Sequence, residues 1–343
     1  MILTGRKKRI LEAIIVNYIA TAEPVGSRTL AKNYDFGVSP ATIRNEMADL
    51  EDMGYLEQPH TSAGRVPSDK GYRAYVNELL INRHMMSHTD DPMYLNALGI
   101  GGIDKLLRET LKIVSDLTEY TSIALTPHVA RSTIMQVELL RFNESALVVV
   151  LVTNAGTIND NIIKLTKTIS AKEVDILNLS LNRILKGHNA EEIDGKMIEE
   201  LQTCVDLPFD VRGIVNVIKN LLMSEADTEV LVEGKTNFFN FPEYHDVDRI
   251  KTILSFIEDT ELILQSLGSV SDDDINISIG SENNVDEVKD CSIITISYNI
   301  KGKHAGTISI IGPKRMRYEK AIDIMDEVGP RLNRILTDYL FGK

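Results

Sequence analysis

The stretch from Ser39 to Pro67 leaves the chain little choice of local structure. Ser39-Pro40 opens a helix in the favoured way: a hydroxyl caps the free amides, and a proline takes the first helical position, where no amide is needed. Ile43, Met47 and Leu50 then recur at helical spacing, so one stripe packs inward. Ala41, Thr42, Asn45 and Ala48 take the opposite face, with Arg44 at its flank. After Gly54, Tyr55-Leu-Glu-Gln58 is a short strand. A polar loop, Pro59-His60-Thr61-Ser62-Ala63-Gly64-Arg65, leads into the return strand Val66-Pro67. Strand, loop with Gly and Arg at its tip, and return strand make a wing.

Two more helices precede this unit. Ile10, Ile14, Ile15, Tyr18 and Ile19 define a first helix from Arg6 that ends before Pro24. Ser27 is the expected N-cap of a second, short helix that runs to about Asn33, followed by a turn through Asp35, Phe36 and Gly37. Beyond the wing, Ser68 caps a helix through Tyr72, Tyr75 and Leu79. Residues 1–81 therefore read as a winged helix-turn-helix.

The third helix has the side chains of a groove reader. Small residues let a backbone approach the groove floor, asparagine pairs bidentately with adenine, and arginine pairs with guanine or phosphate. Asp49, Glu51 and Asp52 would repel phosphates, so the N-terminal turns of the helix must enter the major groove. Arg65 is placed to reach a minor groove or a phosphate. The candidate DNA contacts are Arg6, Lys7, Arg28, Ser39, Ala41, Thr42, Arg44, Asn45, His60, Thr61, Ser62 and Arg65. Three short helices and a hairpin also occur in protein-binding modules. The arginines at 6, 28, 44 and 65 favour DNA, although each alone reads equally well as a solvated surface charge.

The net charge of −13 looks wrong for such a protein until it is located. Through residue 80 there are ten basic and ten acidic side chains, so the whole excess lies downstream. An acidic body beside a neutral reading head favours docking in one orientation. The N-terminus lacks the apolar run of a secretory signal, and the longest wholly apolar stretch, Ala146 to Val152, falls far short of a membrane span. The expected location is the cytoplasm. Cys204 and Cys291 are lone thiols, expected in a core or an interface, with no disulfide or zinc pattern.

In a chain of 343 residues further domains must follow. Residues 82–102 read as a linker. Within it, His84 and His88 stand one helical turn apart but lack a third ligand, and Gly99, Gly101 and Gly102 complete no phosphate loop. A helix over Leu106 to Leu117 leads to an antiparallel meander over Thr133 to Phe142, Ala146 to Val152 and Thr157 to Leu165. Helices follow over Asp175 to Leu185, Glu191 to Cys204 and Phe209 to Met223. Strands resume at Glu229 to Glu233, Asn276 to Gly280, Ser292 to Asn299 and Ala305 to Ile311, before a last helix over Glu319 to Phe341. Helices interrupting one sheet imply an α/β domain over 103–169 and 227–343 with a mostly helical insert at 170–226, and an α+β multidomain fold overall. Asp272-Asp273-Asp274 lacks the spacing of a calcium loop, and no catalytic motif appears, so no enzyme, metal or cofactor is expected. A ligand-sensing regulator is the alternative reading for the downstream region.

The strings Ser39-Pro-Ala-Thr-Ile-Arg-Asn-Glu-Met-Ala-Asp-Leu-Glu-Asp-Met-Gly-Tyr-Leu56 and Gln58-Pro-His-Thr-Ser-Ala-Gly-Arg-Val-Pro-Ser68 resemble the hallmark of the bacterial HrcA family of heat-inducible transcription repressors. Glu23-Pro-Val-Gly-Ser-Arg28 and Gly312-Pro-Lys-Arg-Met-Arg-Tyr318 agree with it. The resemblance implies a GAF-like domain carrying an inserted dimerisation domain. It also implies a homodimer that binds an inverted-repeat operator, CIRCE, at chaperone operons. The family depends on the GroEL chaperonin and releases its operator on heat stress.

Overall fold

The computed structural model describes residues 5–60, 63–83, 102–125, 133–154, 158–165, 167–204, 211–224, 230–267, 275–300 and 303–341. His84, His88, Gly99, Gly101 and the Asp272 to Asp274 triplet lie outside the described residues.

The N-terminal unit is built from α1 (Gly5–Thr21), α2 (Ser27–Asn33), α3 (Pro40–Asp52), β1 (Leu56–Glu57), β2 (Val66–Pro67) and α4 (Asp69–Arg83). Its helices enclose Ile10, Ile14, Ile15, Leu30, Ile43 and Leu50, all fully buried. Each is worth about 1.5 to 3 kcal/mol relative to exposure, which far exceeds the intrinsic preference of so short a helix as α2. The strands pair antiparallel, Leu56 with Pro67 and Glu57 with Val66. Ser27 departs from expectation: it is the first helical residue, buried, and the cap position falls to Gly26, which offers no side-chain cap. The cause lies just upstream, where Val25 exchanges two 2.9 Å backbone hydrogen bonds with Arg65 and holds the chain extended up to the helix start.

The remainder runs α5 (Gly102–Thr118), β3 (Thr121–Leu125), β4 (Ile134–Asn143), β5 (Ala146–Thr153), β6 (Ile158–Lys164), α6 (Ala171–Leu185), α7 (Gly195–Cys204) and α8 (Arg212–Ser224). It continues through β7 (Val230–Glu233), α9 (Val247–Glu258), α10 (Thr260–Leu267), β8 (Asn276–Ile279), β9 (Cys291–Ile300), β10 (Lys303–Pro313) and α11 (Tyr318–Phe341). A five-stranded antiparallel sheet has the order β7-β3-β10-β9-β8. One face, with Ala124, Ile294, Ile308 and Ile310, packs on α5 and α11. The other, with Ile123, Ile293 and Ile311, packs on α9 and α10. Cys291 is buried there; burial pushes its thiol up to about 12, so it is an inert core residue, whereas Cys204 is exposed.

The meander lies outside the larger sheet. β4, β5 and β6 do not extend the five-stranded sheet but form a separate sheet of their own. Their inner face, Val137, Leu139, Leu147, Val149 and Leu151, shares a closed core with α6, α7 and α8. The elements that share this core span β4 to α8, from residue 134 to residue 224. Alternating apolar residues report that a strand has a buried face, but not which partner buries it. Two asparagines of α6 seal one edge of this sheet. Asn182 exchanges hydrogen bonds with the Val137 backbone at 2.9 and 2.6 Å, and Asn178 with that of Leu139 at 2.7 and 3.0 Å. Helix-borne amides thus stand in for a neighbouring strand and block edge-to-edge association there. The sheet's outer face is uncovered. Leu140 pairs with Val148 and Val148 with Ile162 in one apolar row, and Leu140 and Ile162 are 50% and 55% exposed.

Candidate nucleic-acid interface

Helix α3 begins as its sequence requires: Ser39 Oγ accepts the Thr42 amide at 3.2 Å, and Pro40 follows at the first position. Ile43, Met47 and Leu50 face the core. Ala41, Arg44 and Asn45 are exposed, with Thr42 and Ala48 partly so. Among the described residues nothing engages the Arg44 guanidinium or the Asn45 amide, and Arg28, at the start of α2, is likewise exposed and unpaired. Three strong donors therefore stand free on two helices that pack on each other.

Other expected contacts are already committed within the protein. Lys7 sits between Glu46 and Asp49 of α3, hydrogen-bonded to Asp49 at 2.7 Å and to Glu46, with 15% of its side chain exposed. The carboxylates of Asp49 and Glu46 hold its ammonium above the ordinary lysine value. Arg6 pairs more loosely with Glu46, at 3.7 Å. Arg65 is not at the hairpin tip but at its base, where Nε donates to Glu51 at 2.8 Å. Lys7 and Arg65 therefore neutralise acidic residues of α3 that would otherwise repel a phosphate backbone. Asp52 alone of the three acids expected to repel DNA has no ion pair among the described residues. That division of labour between free and neutralising cations is not visible in the sequence, because each pair joins residues far apart in the chain.

His60 is exposed at the hairpin loop, and Thr61 and Ser62 lie outside the described residues. Gln58 Nε2 donates to the Ala63 carbonyl at 3.1 Å and closes the loop base. Gly64 has a role that its place in the loop sequence does not announce. A Cβ there would come within 2.5 Å of the Val25 carbonyl group and 2.8 Å of the Pro24 carbonyl carbon, so the hairpin can cross the α1–α2 connection only at a glycine. Gly64→Ala should therefore destabilise the protein by about 1 to 3 kcal/mol through overpacking against rigid backbone. Thermal unfolding checks this, and an unchanged melting temperature would refute it.

Comparison with known proteins follows the same lines. The family model for the HrcA protein C-terminal domain matches residues 104–322. A heat-inducible transcription repressor HrcA from Clostridium botulinum (strain Alaska E43 / Type E3) is 41% identical over 98% of this chain and 99% of its own length. One from Clostridium tetani (strain Massachusetts / E88) is 42% identical over 97% and 95%. A crystal structure of a hypothetical protein at 2.2 Å resolution, 23% identical, superposes with a TM-score of 0.70 over 98% of this chain and 99% of that one, so the fold is shared along the whole length. Free donors on a capped, exposed helix face and full-length similarity to named repressors define a transcription regulator. The chain belongs to the HrcA family of heat-inducible transcription repressors.

Proposed function

We infer that this chain is a cytoplasmic, homodimeric repressor. It sets two winged helix-turn-helix units, one from each copy, on the half-sites of an inverted-repeat operator of the CIRCE type at chaperone operons, and it releases that operator on heating. The observation that carries the reading is the free Arg44 and Asn45 pair on α3, beside acids already neutralised by Lys7 and Arg65. On this reading Ser39, Ala41 and Thr42 approach the groove floor, Arg28 and Arg6 meet phosphates, and the hairpin loop with His60, Thr61 and Ser62 touches the flanking backbone. Lys7 and Arg65 support the surface rather than contact DNA. The five-stranded unit is the GAF-like domain. The β4–β6 and α6–α8 unit is the dimerisation insert, supported by its uncovered apolar row. Dependence on the GroEL chaperonin is carried over from the family resemblance. Footprinting the purified protein on its own promoter tests the reading. Two symmetric protected half-sites, spaced by whole helical turns, are expected, and a footprint without two-fold symmetry would refute it.

A further inference from the structure

The run Gly312-Pro-Lys-Arg-Met-Arg-Tyr318 joins β10 to α11, yet two of its charged members, Lys314 and Arg315, reach out of the five-stranded unit to the N-terminal one. Lys314 Nζ lies 2.9 Å from Asp69 at the start of α4. The same carboxylate accepts the Ser281 amide at 2.9 Å from the turn after β8. Burial alone would raise the Asp69 carboxyl, but that amide and the Lys314 ammonium outweigh it and hold it below the usual aspartate value. One turn along α4, Arg73 forks between the Glu282 carboxylate and the Ile277 carbonyl, the latter at 2.6 Å. Arg315, paired with Glu243, donates to the Ile19 carbonyl in the last turn of α1 at 3.1 Å. Tyr72 and Tyr75 of α4 complete the contact on the buried Tyr318 ring, at centroid distances of 5.9 and 6.5 Å.

Apolar packing of three tyrosines would hold the two units together without fixing their angle, because such contacts are non-directional. Charged hydrogen bonds are directional, and here they run from two separate segments of the body, residues 277–282 and 314–315, to two helices of the N-terminal unit. Anchors so distributed restrain rotation about every axis. The approach is also close: Gly280, at φ +57°, lies where a Cβ would strike the Asp69 carboxylate at 2.3 Å. None of the anchoring residues is among the free donors Arg28, Arg44 and Asn45, so DNA and body can be held at once.

We propose that Asp69, Arg73, Lys314 and Arg315 form a positioning clamp that fixes the reading head on the body and thereby sets the half-site spacing and helical phase a dimer accepts. The proposal rests on the dimeric-repressor reading. A rigidly held second head sees its half-site at high effective concentration only at one spacing, whereas a loosely held head spreads that concentration over many.

The test uses the full-length protein and three duplexes: the native inverted repeat, the same repeat with the half-sites moved apart by half a helical turn, about five base pairs, and a single half-site. The wild type should lose about 100-fold in affinity on the shifted repeat, and the Arg73→Met/Lys314→Met double variant less than about 5-fold. The double variant should bind the native repeat about 10-fold more weakly than the wild type while matching it on the single half-site, which also shows that the head is folded. Lys314→Arg should keep the wild-type spacing penalty. Should the double variant unfold, the two single methionine variants make the same comparison. A double variant as spacing-selective as a selective wild type overturns the clamp alone. One that binds the native repeat more tightly makes the contact inhibitory and also overturns it. A wild type indifferent to the inverted repeat refutes the repressor reading and the clamp with it.

Discussion

Arg44→Ala and Asn45→Ala should each cost about 1 to 3 kcal/mol of operator affinity, and the pair together up to about 6, less if the adjacent sites couple. The expectation follows from where these side chains stand. Both project from the exposed face of α3 with no partner among the described residues, so truncation removes a contact to DNA and nothing inside the fold. Stability should therefore be unchanged. The loss should be selective: Asn45→Ala weakens the operator but hardly touches random duplex, and relaxes preference at one base step. Titrations on both duplexes at one fixed salt concentration check this. Equal loss on operator and random DNA for Asn45→Ala would end its role as a base reader.

Lys7→Ala gives the complementary case. It should weaken all duplexes alike, because Glu46 and Asp49 are left facing the phosphates without their counter-charge. Adding Asp49→Asn should restore part of the loss. A phosphate contact by Lys7 itself predicts no such restoration, so the double variant separates the two roles.

On the proposed dimeric reading, Leu140→Glu with Ile162→Glu should yield a folded monomer whose operator affinity falls by about 100- to 10,000-fold, since each half-site is then bound without the gain in effective concentration. Both positions lie on the uncovered face of the β4–β6 sheet and are already half exposed, so the monomer tolerates charge there. Burying four added carboxylates in a two-fold interface is not tolerated. Sedimentation and a thermal melt provide the readouts. A variant that still sediments as a dimer moves the interface elsewhere, to α4 or α11. Deleting only 170–226 would not test the same point. It removes α6, α7 and α8 from the inner face and exposes Val137, Leu139, Leu147, Val149 and Leu151, so aggregation is expected in place of a clean monomer.

Much of the reading head is legible in the sequence. The Ser39 cap, the α3 stripe, the Gly54 stop and the β1–β2 pairing all depend on residues a few positions apart, and there capping, periodicity and turn chemistry act directly. The meander strands match their expected spans to within about a residue for the same reason, whereas the three helices after them keep their expected C-terminal ends to within about a residue but begin three or four residues away from the expected starts. β3 escapes such reasoning because all five of its residues are buried between two neighbouring strands, so it shows neither alternation nor a helical period. α9 and α10 are likewise absent from the expected elements, although Asp246 caps the first of them.

What the sequence determined by itself is the set of local elements, the face each must bury, and the exposed chemistry of α3. The tertiary structure decided which elements share a core, assigning β4–β6 to the helices after them and not to the larger sheet. It also decided which cations are committed to carboxylates, among them Lys7, Arg65, Arg73, Lys314 and Arg315, and left Arg28 and Arg44 free beside the Asn45 amide. The physical reason is range. A cap or a period is fixed by neighbours within one or two turns, whereas an ion pair such as Arg73 with Glu282 exists only once the whole fold has brought two distant segments together.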